Sequence, residues 1–180
     1  HMGIHYDGLD GAVRRFMIDE LNRDIQGDNL YISPRLTEAG ALEWPNLLRE
    51  AFHSHDDDWL AEQTRTRGLM RATEQRRTRG GGITTARVPH NAPEMLAEGE
   101  FNRFYIRGLC RDIIECGGTE VEIYRGKDVG NPRPESQAMI GKRLPADQLL
   151  QDLRASPGVE PALDLPPGPN SGLTARRVRE

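Results

Sequence analysis

From Met95 to Ile114 the chain reads as a helix that is apolar around much of its circumference. Leu96, Phe101, Phe104, Tyr105, Ile106, Leu109, Cys110 and Ile113 are spread over several of its faces. Such a helix is stable only when other elements cover it on more than one side, so it must be central. Pro93 suits its first turn, Gly117 and Gly118 suit its end, and Gly99 is a point of kinking or division. The predicted span is 92–116, and it is expected to be the most buried element of the fold.

Strand patterns lie on both sides of this helix. Ile83 to Val88 reads as one strand. Val121 and Ile123, alternating with Glu120, Glu122 and Tyr124, read as another with one wet face. The expectation is a β-α-β unit whose two strands pair in one small sheet. Upstream, Leu9, Ala12, Val13, Phe16, Met17, Leu21 and Ile25 recur at helical spacing and predict an amphipathic helix over 9–26. Asp7 or Asp10 is its N-cap, Gly27 its stop, and Val13, Phe16, Met17 and Leu21 its core face.

Shorter pieces follow. Leu30 to Ile32 reads as a brief strand, and Ser33-Pro34 as the start of a short helix ending near Gly40. Trp44-Pro45 opens another helix with Leu47, Leu48, Ala51 and Phe52 on one face. Asp56, Asp57 and Asp58 suit the start of a third, with Trp59 and Leu60 buried. Near the end, 134–141 and 145–155 each begin with proline, and Leu149, Leu150 and Leu153 form an apolar face. The tail from Pro166, rich in proline and glycine, is expected to pack on a surface without forming an element of its own.

The fold class is therefore α+β: a mainly helical single domain with a small sheet in the C-terminal half. Residues 1 and 2 read as the remnant of a cleaved tag and are set aside. The domain then spans 3–180, with a helical lobe over about 3–75, a β-α-β lobe over about 83–155 and a tail over 156–180. A chain of 180 residues that is 36% hydrophobic and 29% charged suits one domain with one core and is not disordered by composition. No apolar run approaches the roughly 18 residues that span a bilayer, and no signal-peptide pattern is present, so no membrane partner is expected. Cys110 and Cys116 lie too far apart along one helix for a disulfide. They read as thiols of a reducing, bacterial-type cytoplasm.

The net charge of -4 excludes a globally basic nucleic-acid binder, but the charge is unevenly distributed. From Asp28 to Glu62 acidic residues dominate. From Thr64 to Arg87 there are Arg65, Arg67, Arg71, Arg76, Arg77, Arg79 and Arg87 against Glu74 alone. The stretch 64–82, ending in three glycines, reads as an exposed, flexible loop able to follow a phosphate backbone. The alternative is that this basic block answers the acidic block, within the chain or across a subunit boundary. Arginine is also abundant throughout, with only Lys127 and Lys142 as lysines, which is what a GC-rich genome produces without any function.

Three further groups carry chemistry. Arg103, Arg107 and Arg111 lie at helical spacing on the central helix, and form either a salt-bridged face or an anion-binding groove. His53, His55 and Asp56 are the local set of metal-ligand types. Glu100, Asp112, Glu120, Glu122 and Lys127 are of the types used by metal-dependent nucleases, although the usual spacing on one strand is absent. There is no Walker loop, dinucleotide fingerprint, nucleophile elbow or zincin motif, and no cofactor is expected. The functional expectation is a non-enzymatic binding or assembly protein that contacts nucleic acid or another polyanion through the arginine-rich loop, with Arg103 and Arg107 adding to the surface. The alternatives are a homo-oligomeric structural or adaptor protein and a metal-dependent nuclease or hydrolase.

Overall fold

The computed structural model describes residues 3–157 and 171–179. Its helices are α1 (Gly11–Gln26), α2 (Glu38–Ser54), α3 (Asp57–Thr66), α4 (Ala92–Glu115), α5 (Pro134–Met139) and α6 (Ala146–Ala155). Its strands are β1 (Thr73–Arg77), β2 (Ile83–Arg87), β3 (Glu120–Arg125), β4 (Arg143–Pro145) and β5 (Leu173–Arg177).

The central helix is α4, as its all-round apolarity requires. It packs against α1, α3, α6 and the sheet, and Phe101, Phe104, Tyr105, Ile106, Leu109 and Ile113 are all buried. At Gly108 the neighbouring helix approaches so closely that an added Cβ would lie 2.7 Å from Met17 Cγ and 2.8 Å from the Val13 carbonyl. Only glycine admits that approach. One apolar cluster runs from Val13 through Trp44 and Phe101 to Ala175, so the two lobes read from the sequence share a core.

The helices begin where their caps predict. Asp10 accepts from the Val13 amide at 2.9 Å and Asp56 from the Trp59 amide at 2.9 Å. The segment 33–54 differs from expectation. Leu30 to Ile32 is not a strand, and no short helix precedes Gly40. Instead Thr37 caps a single helix, accepting from the Gly40 amide, and that helix continues through Pro45. Proline removes one backbone hydrogen bond there. The continuous buried face of Trp44, Leu47, Leu48, Ala51 and Phe52 outweighs that loss. Phe16 also departs from the expected core face. It is half-buried on the flank of α1, where the Arg111 guanidinium lies 4.6 Å from its ring centre.

The expected β-α-β pairing does not form. β2 pairs antiparallel with β1, not with β3, so 73–87 is a hairpin and the stretch 64–82 is not a flexible connector. The other sheet has the order β4-β3-β5 and is antiparallel throughout. β5 comes from the tail, which therefore supplies an element of the fold. Leu173, Thr174 and Ala175 are buried in it, whereas 166–170 lie outside the described residues. The Tyr105 hydroxyl donates to the Ala175 carbonyl at 3.0 Å and ties this strand to α4. No helix among the described residues is long and apolar enough to cross a membrane.

Candidate functional site

The hairpin β1–β2 is exposed along almost its whole length. Its two strands carry few apolar residues, so alternation gives no hint of them. The turn is nonetheless visible in the sequence as Thr78-Arg79-Gly80-Gly81-Gly82. The Gly81 amide donates to the Thr78 carbonyl at 3.1 Å with Gly81 at φ +85°, a conformation that favours glycine.

The register sorts the arginines. Glu74 and Arg76 share one face. There Glu74 accepts from Arg35 Nε at 2.8 Å and from Arg76 Nε at 2.8 Å. Both guanidinium groups hold the Glu74 carboxyl below its ordinary range. The opposite face presents Thr73, Gln75 and Arg77 beside Arg87, Thr85 and Ile83. Arg77 and Arg87 on that face, and Arg79 in the turn, are exposed and have no ion-pair partner among the described residues. The remaining members of the block are engaged. Arg65 pairs with Glu94 at 2.5 Å, Arg67 lies 3.8 Å from Glu43, and Arg71 Nε donates to the Leu36 carbonyl at 3.0 Å. The Arg67–Glu43 contact joins the basic block to the acidic one in the sense that their majority charges suggest.

Of the three arginines of α4, Arg107 and Arg111 are salt-bridged, whereas Arg103 meets a backbone carbonyl and has no carboxylate partner among the described residues. Arg107 is 2% exposed and donates to Glu20 at 3.0 Å and to both oxygens of Asp24 at 2.7 and 2.8 Å. Burial alone would raise the Glu20 carboxyl, but Arg154 and Arg107 overcome it and take the value down to about 2. Arg111 also binds Glu20, at 3.0 Å, and Arg103 donates to the Leu153 carbonyl at 3.4 Å. Arg107 is thereby withdrawn from any surface contact, and Arg103 is half-buried.

The metal-ligand types near α3 are arranged differently from the histidine-led reading. His53 is exposed, with Nδ1 2.5 Å from Ser54 Oγ, and the His55 ring stacks on Trp59 with centroids 4.1 Å apart. Asp56 keeps a place, because one oxygen from each of Asp56, Asp57 and Asp58 lies within 4.8 Å of the others. Asp57 is 2% exposed; its Oδ2 accepts from the Ile4 amide, and burial together with the charges of Asp58 and Asp56 pushes it up to about 6. Glu98 of α4 is 4% exposed and accepts from Lys127 Nζ at 3.0 Å. Burial, aided by Asp57 and Asp58, raises it to about 7 against the pull of Lys127. Asp56 also lines an open cavity of about 410 Å³ with Ile4, Tyr6, Arg14 and His55. Nothing local in the sequence links Glu98 or Tyr6 to the aspartates whose charges act on them.

The nuclease-type residues scatter. Asp112 pairs with Arg177 and Glu122 with Arg176, Lys127 belongs with Glu98, and Glu100 is buried near Arg103. Comparisons of the chain with protein-family models, with characterised proteins and with solved structures give no significant match.

Proposed function

We propose that this chain is a non-enzymatic binding protein that contacts nucleic acid through the β1–β2 ribbon. The observation that carries this reading is the exposed trio Arg77, Arg79 and Arg87, unpaired among the described residues on a polar two-stranded ribbon. A ribbon of this kind fits the major groove of duplex DNA, about 12 Å wide, and arginines on it reach phosphates and base edges. The test replaces all three with alanine and measures duplex binding against salt. Loss of three phosphate contacts lowers the slope of log affinity against log salt by about 2–3 units. Exposed charges contribute only about 0–1 kcal/mol each, so folding should be nearly unchanged. An unchanged slope would sink the reading.

A second reading, homo-oligomeric assembly, is favoured by one feature. Among the described residues each strand of the ribbon has one unpaired edge, and Ile83 of β2 is 72% exposed. Open edges are templates for pairing with another copy. Light scattering across a concentration series separates the two readings, because a ribbon engaged with a second copy gives a mass above that of one chain.

A further inference from the structure

We propose that the exposed face of the β1–β2 ribbon reads base sequence in the major groove of B-form DNA, with Gln75 as the residue that recognises adenine. This inference rests on the nucleic-acid reading above and names the substrate of that same site.

The register puts three cross-strand pairs on that face: Thr73 with Arg87, Gln75 with Thr85, and Arg77 with Ile83. All six residues are exposed. Successive pairs on one face of a ribbon are separated by roughly 6.8 Å, which is two base steps of about 3.4 Å. The face therefore keeps step with stacked base pairs. The opposite face is braced by Glu74, which accepts from Arg35 outside the ribbon and from Arg76 within it. β1 and β2 pack chiefly on each other, so the ribbon projects from a chain whose net charge is -4. Phosphates repel an acidic body and attract the ribbon's arginines, which confines the contact to the ribbon.

The side chains on this face exceed what phosphate binding needs. The Gln75 amide is held across the ribbon, with Nε2 donating to Thr85 Oγ1 at 3.0 Å. That bond uses one of its two N–H groups. The second N–H and Oε1 remain to meet N7 and the N6 amino group of adenine, a bidentate pairing that suits glutamine. Arg77 and Arg87 lie one pair to either side of Gln75, and a guanidinium pairs in the same way with O6 and N7 of guanine. Ile83, exposed opposite Arg77, has no part in a phosphate contact. An apolar side chain there suits the thymine methyl group, which the major groove displays. Other nucleic acids fit less well. No aromatic residue lies between Thr73 and Arg87 to stack unpaired bases. The major groove of duplex RNA is too deep and narrow for side chains to read.

The test selects a preferred site with the full chain from a library of random DNA duplexes at physiological salt. The recovered duplex should bind roughly a thousandfold more tightly than a scrambled duplex of the same composition. Gln75→Ala should weaken binding to the recovered duplex roughly 5- to 150-fold, the value of one bidentate base contact. It should leave the scrambled duplex and its salt slope unchanged. Exchanging the A·T pairs of the recovered site one at a time should identify one pair that matters to the unaltered chain and not to the Gln75→Ala variant. Thr84→Ala, on the opposite face, should change binding to neither duplex. Circular dichroism checks that both variants fold. Recovery of no preferred sequence, a preference that survives Gln75→Ala at every pair, or tighter binding to duplex RNA or single strands overturns the inference. If the triple arginine variant still lowers the salt slope in those cases, the ribbon contacts phosphate without reading bases. Absence of any duplex binding overturns both readings.

Discussion

A guanidinium as enclosed as that of Arg107 is tolerated only because carboxylates surround it. Glu20 and Asp24 supply them, and Glu20 in turn joins Arg111 and Arg154. Removing one partner of such a group is far more damaging than the net value of the pair, since the remaining charge stays buried. Glu20→Ala is expected to cost about 3–5 kcal/mol in urea unfolding. A loss below about 1 kcal/mol would mean that water reaches Arg107. The arginine spacing on α4 was legible as a paired face, but the partners were not. They lie on α1 and α6, far away in sequence.

At the scale of elements, α1 and α4 owe their close crossing to Gly108. Gly108→Ala places a methyl against Met17 Cγ and the Val13 carbonyl, and backbone cannot yield as a side chain does. The expected penalty is about 1–3 kcal/mol from overpacking, outweighing the gain in helix propensity. Chemical denaturation measures it, and a stabilised variant would show that the helices can separate freely. The ribbon is the opposite kind of element. Its strands, Thr-Glu-Gln-Arg-Arg and Ile-Thr-Thr-Ala-Arg, bury almost nothing. Hydrophobic periodicity reports burial, so it cannot report such strands. The three glycines were the available signal, and they mark a hairpin turn.

For the molecule as a whole, the buried carboxylates set an unusual dependence on pH. Glu20, lowered to about 2, contributes stability that is present above about 4.5 and lost as pH falls through 2. Asp57, Glu98 and Glu100 are raised to about 6, 7 and 7, chiefly by burial. Their contribution is present below their ordinary values and is lost as pH rises through 6 to 7. Tm should therefore peak near pH 4–5 and decline toward pH 8. Glu100→Gln should reduce that decline. A maximum at pH 7–8 would contradict the expectation.

The sequence by itself determined the central helix, the capped starts of α1 and α3, the proline-led α5 and α6, and the α+β class. Those features depend on neighbours within a turn or two, where the helical period and cap chemistry act. Tertiary structure alone decided that β2 joins β1, that the tail strand flanks β3, and that α2 runs through Pro45. It also decided that Arg107 is buried and that Lys127 meets Glu98. Each of these depends on what one segment finds when it reaches another. Strand pairing, ion pairing and the desolvation of a carboxylate are energies between residues distant in the chain, and local pattern carries no record of them.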